Sequence, residues 1–219
     1  MMKLILSLTL TWTLSSTAEV LQCWQGQGFD PKRSSLFPCD STELCATIAA
    51  RGTVGGDYQE PTLRSCVPSF LFSEGKHTFS LSFGFVTMAA SVYVCNTDGC
   101  NNEDIPFPDV QRENGLQCFT CDVPFSAVCN QTVQCVGDED RCISGTAQDK
   151  YNVDLTSHIS GCVSANYCEV LSRYELLPDR RVKFPRPLKC CGSNFCNSAW
   201  SVKLNVITLL FGLITLTFY

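Results

Sequence analysis

Apolar residues in this 219-residue chain are arranged in three ways. Near the start, Leu4 to Leu14 form an apolar run behind Lys3, and the small residues Ser16, Thr17 and Ala18 follow. At the far end, Val206 to Tyr219 holds fourteen residues without a charge. Between these ends the pattern is short and alternating. From Thr78 to Met88, Phe79, Leu81, Phe83 and Phe85 alternate with Ser80, Ser82 and Gly84, which predicts a strand with one apolar face. Ser91 to Cys95 predicts a second strand, and Val163 to Arg173, Arg181 to Phe184 and Val128 to Val136 carry weaker strand patterns. No stretch between the ends sustains a helical period, so the expected class is all-β.

The two apolar ends read as processing signals. A basic residue, an apolar core and a small-residue site make residues 1–18 a secretory signal peptide, cleaved after Ala18. Asn197, Ser198 and Ala199 form a small triplet, a short spacer runs to Asn205, and the apolar tail follows. That order is the signal for a glycosylphosphatidylinositol (GPI) anchor. It predicts attachment at Asn197 and removal of 198–219; attachment at Ser198 would put bulky Trp200 at the third position. A spanning helix needs roughly 20 apolar residues and usually basic residues on its cytoplasmic side. A single-pass helix starting near Trp200 is the alternative, whereas a soluble product would leave an apolar tail in water.

Sixteen cysteines lie between the ends, in two registers of one pattern. The first is Cys23, Cys39, Cys45, Cys66, Cys95 and Cys100. The second is Cys118, Cys121, Cys129, Cys135, Cys142, Cys162, Cys168, Cys190, Cys191 and Cys196. Cys39, Cys66, Cys95 and Cys100 map onto Cys135, Cys162, Cys191 and Cys196 at one constant offset, and Cys23 and Cys45 miss their counterparts by one residue. A module used twice explains this. The expected domains are 19–101 and 115–197, both opening with Leu-Gln-Cys and both closing with Cys-Asn, joined by an acidic, proline-bearing linker at 102–114. Modules this small bury too little to fold firmly unaided, and outside the cell the even cysteine count implies disulfides. Each adds about 2–4 kcal/mol in the usual model. Four cysteines lost from module one while an even number remains is most simply two whole bridges lost. This favours Cys121–Cys129 and Cys168–Cys190 among the pairings those four allow.

Composition adds limits. Lysine and arginine number 16 against 21 acidic residues, a formal net charge of −5. This mild acidity disfavours a nucleic-acid partner. Asn130-Gln131-Thr132 is the one Asn-x-Ser/Thr site and predicts glycosylation at Asn130.

The second module, opening Leu116-x-Cys118-x-x-Cys121 and closing Cys190-Cys191-x4-Cys196-Asn197, resembles the three-finger domain of the lymphocyte-antigen-6 and urokinase-receptor family. The first is similar but lacks four of the ten cysteines. The resemblance implies a small, disulfide-rich all-β chain of two tandem three-finger, snake-toxin-like domains, three β-loops projecting from a knot in each. It implies the bridges Cys118–Cys142, Cys121–Cys129, Cys135–Cys162, Cys168–Cys190 and Cys191–Cys196, and in module one Cys23–Cys45, Cys39–Cys66 and Cys95–Cys100. It also implies that Asn101 and Asn197 buttress the knots through backbone hydrogen bonds.

Few residues offer chemistry beyond this frame. Cys118-Phe119-Thr120-Cys121 has the spacing of a zinc or redox motif, but in a secreted ten-cysteine frame each sulfur already has a structural role. His77 and His158 sit in different modules without a second histidine at ligand spacing. Asp138-Glu139-Asp140 lacks the glycine and spaced oxygens of a calcium loop and reads as a solvated turn. No catalysis, metal or cofactor is expected, and binding falls to the loops. In the third loop of module two, Arg173, Arg180, Arg181 and Lys183 interleave with Tyr174 and Phe184, a composition suited to a protein contact. Simple solvation of an exposed loop is the competing account. The matching loop of module one is apolar (Phe70, Leu71, Phe72, Phe79, Phe83, Phe85), which predicts packing against module two or a ligand groove. The resulting expectation is a GPI-anchored binding protein on the outer leaflet of the cell membrane, recognising a protein ligand through its finger loops. A secreted two-domain protein like the serum phospholipase inhibitors is the alternative; they share its Asn114-Gly115-Leu116-Gln117-Cys118 joint.

Overall fold

Sulfur forms the centre of the fold twice. Cys23–Cys45, Cys39–Cys66 and Cys95–Cys100 are bridged in the first half of the chain. Cys118–Cys142, Cys121–Cys129, Cys135–Cys162, Cys168–Cys190 and Cys191–Cys196 are bridged in the second. No cysteine is left free. One buried cluster is Cys23, Cys39, Cys45 and Cys95 with Leu21 packed against it. The other is Cys118, Cys135, Cys142 and Cys162 with Leu116 in the same place. With cores this small, the covalent links stand in for the apolar area a larger domain would bury.

The computed structural model describes residues 20–28, 35–123, 126, 129–152, 156–173 and 182–198. The expected leader at 1–18, Tyr174, Arg180 and Arg181 of the basic loop, and the tail beyond Ser198 lie outside them. The strands are β1 (Gln22–Gly28), β2 (Ser35–Pro38), β3 (Glu43–Val54), β4 (Asp57–Gln59), β5 (Thr62–Pro68), β6 (Gly75–Ser82), β7 (Val86–Cys95), β8 (Glu113–Thr120), β9 (Gln131–Val136), β10 (Arg141–Asp149) and β11 (Thr156–Val163). A helix α1 (Ala165–Arg173) and strands β12 (Val182–Lys183) and β13 (Lys189–Cys191) follow.

The chain forms two units: Met1–Ile48, Thr62–Lys76 and Tyr93–Ile105 in one, Ala49–Pro61, His77–Val92 and Pro106–Tyr219 in the other. In unit one, β1 lies antiparallel to β2 (Cys23 opposite Phe37) and to β5 (Gly26 opposite Arg64). Buried Arg64 donates from Nε to the Asn101 carbonyl at 3.0 Å and from Nη2 to that of Asn102 at 3.2 Å, and pairs with Asp104. In unit two, β10 pairs with β11 along its length (Cys142 opposite Cys162) and with β12 and β13 on its other side. β11 continues to β6, with Cys162 opposite Ser82 and Val163 opposite Leu81. β8 and β9 make a separate hairpin.

Each knot is closed by one asparagine. Asn101, fully buried, accepts from Trp24 N at 2.9 Å and donates to the carbonyls of Trp24 and Ala46, each at 2.9 Å. Asn197 accepts from Phe119 N at 3.0 Å and donates to the carbonyls of Phe119 (2.8 Å) and Ile143 (2.9 Å). The repeat extends to the loop before it. Gly99 N donates to Gln22 O at 2.7 Å and Phe195 N to Gln117 O at 2.8 Å, the two residues sharing φ values of 63° and 57°.

Four expectations are corrected. The stretch Thr78 to Met88 is a hairpin, β6 and β7, because Gly84 at φ 68° turns the chain where alternation alone reads straight on. The predicted strand Val163 to Arg173 ends at Val163 and becomes helix α1. Ser164 O receives the Cys168 N–H at 3.1 Å and Asp140 Oδ1 the Ala165 N–H at 2.9 Å, so a carboxylate distant in sequence satisfies a first-turn donor. Within the described residues, the pattern at Val128 to Val136 is strand only from Gln131 (β9) and that at Arg181 to Phe184 ends at Lys183 (β12), Val128 and Arg181 lying outside the described residues. Finally, Asp138-Glu139-Asp140 is a solvated turn at Asp138 and Asp140 but not at Glu139, which is 0% exposed.

Removing either asparagine side chain leaves buried backbone groups without partners. Asn101→Ala and Asn197→Ala are each expected to cost about 2–4 kcal/mol in denaturant unfolding with disulfides intact. A loss below about 0.5 kcal/mol would show the side chains to be dispensable.

Candidate binding surface

Loop ends of unit two present some of the exposed apolar side chains. At the tip of β3–β4, Gly55 and Gly56 lie at φ 61° and 93°, the two left-handed residues of a tight hairpin turn. Val54 and Tyr58 flank them, 46% and 60% exposed. The β6–β7 turn lies alongside: Gly55 N donates to Phe85 O at 2.9 Å, and the Thr53 and Thr87 hydroxyls are 2.8 Å apart. Tyr58 Oη donates to Glu60 Oε1 at 2.6 Å, and Arg51 reaches the same oxygen at 3.1 Å. The guanidinium of Arg51 stacks over Phe107, 5.5 Å from its ring centre, a contact that suits a planar cation. Accepting the phenol's hydrogen bond, Glu60 holds the Tyr58 hydroxyl above its ordinary pKa. This tip is therefore a braced platform bearing an aromatic ring rather than a loose loop.

A second tip belongs to β10 and its continuation. Asp149 Oδ1 accepts from Tyr151 N at 2.8 Å and Asn152 N at 3.0 Å, a local turn that holds Tyr151 out at 75% exposure. Lys150 Nζ sits 5.7 Å from that ring. Neither tip is marked by the sequence patterns that single out the third loop. Their signals, Gly-Gly beside Tyr58 and Asp149 two residues before Tyr151, are turn chemistry that hydrophobic alternation does not register.

The basic third loop is only partly described. Arg173 is exposed in the last turn of α1, Lys183 is exposed on β12, and Phe184 is half-buried beside it. Arg186 and Lys189 follow and, with Ser144, Thr146, His158 and Ser160, line an open groove of about 860 Å³. Asn130, Gln131 and Thr132 are all exposed at the start of β9. The sulfurs of Cys23, Cys39 and Cys45, and of Cys118, Cys135 and Cys162, lie within 4.8 Å of one another. All are bridged, so none offers the thiolate a metal needs. Of the apolar residues in module one, Phe79 meets Tyr167 edge-on at 5.9 Å and stacks near His77 at 6.2 Å.

Sequence reasoning missed a polar seam elsewhere in unit two. Glu139 Oε1 accepts from the hydroxyls of Ser80 (2.7 Å) and Ser82 (2.9 Å), and Oε2 from Val136 N at 3.0 Å. Burial raises the pKa of its carboxyl despite these three donors. The alternation in β6 sets Ser80 and Ser82 on one face, and that face needs an acceptor once covered.

The u-PAR/Ly-6 domain matches this chain twice, over 19–103 and 114–199. The chain belongs to the u-PAR/Ly-6 family. Gamma-type phospholipase A2 inhibitor chains of Elaphe climacophora and of Elaphe quadrivirgata are similar to it, each 34% identical over 87 residues. Those residues are 38% of this chain and 43% of each relative, so the u-PAR/Ly-6 chain matches less than half the length of these curated proteins. The crystal structure of mouse TEX101 aligns with 78% of this chain and 97% of its own at 17% identity, with a TM-score of 0.30 too low to carry a comparison.

The braced tip makes a spectroscopic prediction. In a tyrosine absorbance titration, wild type minus Tyr58→Phe should isolate a phenol that ionises above about pH 10. Ionisation below about pH 10 would contradict the Glu60 hydrogen bond.

Proposed function

We propose that this chain is a GPI-anchored cell-surface protein that binds a protein ligand through its finger loops, as a receptor, co-receptor or adhesion partner. The observation that carries the reading is a pair of solvent-exposed tyrosines at loop ends of a disulfide-fixed scaffold, Tyr58 with its hydroxyl bonded to Glu60 and Tyr151 on a turn whose backbone Asp149 sets. A tyrosine held in place presents a large amphipathic contact area with little ordering entropy left to lose on binding. The basic residues Arg173, Lys183 and Arg186 add charge at a second loop, where Arg180, Arg181 and Tyr174 also belong by sequence. Family membership supports a binding role rather than catalysis, since u-PAR/Ly-6 proteins are generally non-enzymatic and extracellular. The anchor rests on the small triplet at Asn197 and the apolar tail from Val206. No helix among the described residues is long and apolar enough to cross a membrane. Attachment at Asn197 would use its main-chain carbonyl, leaving the side chain free to keep its place in the knot. Exposed Asn130 is the proposed glycan site.

The similarity to the snake phospholipase A2 inhibitors favours a second reading, a secreted inhibitor of such an enzyme. One experiment separates the two. The full chain is expressed on cells and treated with a phosphatidylinositol-specific phospholipase C. Release into the medium is expected for a lipid anchor, and retention would point to a spanning segment. Spontaneous secretion, together with inhibition of a secretory phospholipase A2, would replace the receptor reading. In a screen of displayed extracellular proteins, any specific binder should be lost, by at least about tenfold, on Tyr58→Ala or Tyr151→Ala. Binding that survives both would remove the tips from the site.

A further inference from the structure

A fully buried carboxyl group with no cation beside it is an unusual way to join two pieces of backbone. Glu139 sits in the short connection between β9 and β10, and forms no ion pair among the described residues. Its partners on β6 are neutral hydroxyls, those of Ser80 and Ser82. Around it, ladder pairing between β6 and β11 is brief, at Ser82–Cys162 and Leu81–Val163. Ser164 N donates to Ser80 O at 3.0 Å and Ser80 N to Ser164 Oγ at 3.2 Å, which extends the join by one residue. Asn166 Nδ2 adds a bond to Thr78 O at 2.6 Å, and beside this join two side chains of β6, Ser80 and Ser82, meet one ionisable group.

We propose that Glu139 is a proton-operated clasp: protonated it holds the β6–β7 hairpin against the 136–141 connection, and ionised it loosens that hairpin. Hydroxyl groups both donate and accept, so Ser80 and Ser82 can serve either state, a neutral carboxylic acid donating to one of them. The states differ in desolvation. An ionised carboxylate here is shielded from water with three hydrogen bonds and no counter-charge, and leaving the site restores its hydration. Burial holds the carboxyl above its ordinary pKa while the hairpin is docked. The sign follows from linkage. Docking is strongest below the ordinary glutamate value, weakens as pH rises through the interval up to the docked value, and levels off above it. Acidic surroundings close the clasp, and neutral or alkaline ones slacken it.

Other charged or titratable groups lie on the elements packed here: Lys76 and His77 on β6, Glu113 on β8, Asp138 and Asp140 in the same connection, Arg141 and Asp149 on β10, His158 on β11, Asp109 and Arg112 in the preceding segment, and Glu169 and Arg173 on α1. β9 carries none. A comparison with Glu139→Gln cancels their shared contribution. The amide keeps the shape of the acid, accepting from Val136 N through its oxygen and donating to the serines, but cannot ionise.

The test is amide hydrogen exchange on the full chain, wild type against Glu139→Gln at matched pH from about 4 to about 8, so that intrinsic exchange rates divide out. In β6 and β7 amides the ratio should be flat below about pH 4.5 and then move in favour of the variant as pH rises. The change should be about tenfold for each pH unit between the docked and undocked midpoints of Glu139. Amides of β1 and β2 should show no such change. A ratio constant over the whole range, or one that moves equally in β1 and β2, would overturn the clasp. Should the variant fail to fold, the carbon-13 carboxyl titration of Glu139 in wild type decides. A midpoint above the ordinary glutamate range is expected, and one within or below it would overturn the proposal.

Discussion

Two sulfur knots, each closed by an asparagine, are the constraint on which the rest depends. Eight cross-links remove most of the freedom of the unfolded chain, at about 2–4 kcal/mol each in the usual model. Asn101 and Asn197 then convert a bundle of bridges into a defined geometry, each tying the closing segment to two strands through one amide. The duplicated opening leucine, the duplicated cysteine-asparagine close and the shared left-handed residue before it, Gly99 in one copy and Phe195 in the other, are one solution used twice. With stability concentrated at the knot, loop ends carry side chains that the fold does not need.

Those ends are nonetheless ordered, one through a side chain and the other through its backbone. Tyr58 is tied through Glu60 to Arg51, and Tyr151 projects from a turn set by Asp149. Recognition through pre-positioned aromatic residues sacrifices little entropy on binding, and the proposed binding role draws on this. The seam at Glu139 plays the opposite part. It buries an ionisable group without a counter-charge among the described residues, and in the proposed clasp this makes the hold on one hairpin answer to proton concentration as well as to packing.

How much of this could be read from sequence follows from the range of each interaction. The repeat and the all-β class were legible because cysteine spacing and period-two alternation are written in consecutive residues. The β6–β7 turn was hidden because Gly84 occupies a small-residue position in that very alternation. Helix α1 was missed because a first-turn N–H is satisfied by Asp140, which lies before β10 and leaves no mark near residue 165. Glu139 looked like a solvated acid because its serine partners are 59 and 57 residues away in sequence, on another hairpin. The arginine-rich loop drew attention ahead of Tyr58 and Tyr151, since exposed aromatics at turns have no periodic signature. Charge clusters show in a sequence; the distant group that buries or braces a residue does not.

The most direct test of the account is a peptide map of the folded protein under non-reducing conditions after alkylation of any free thiol. The account predicts no alkylated cysteine, Cys191 linked to Cys196, and its neighbour Cys190 linked to Cys168. A free thiol in the native protein, or a bridge joining a cysteine of the first register to one of the second, would contradict it.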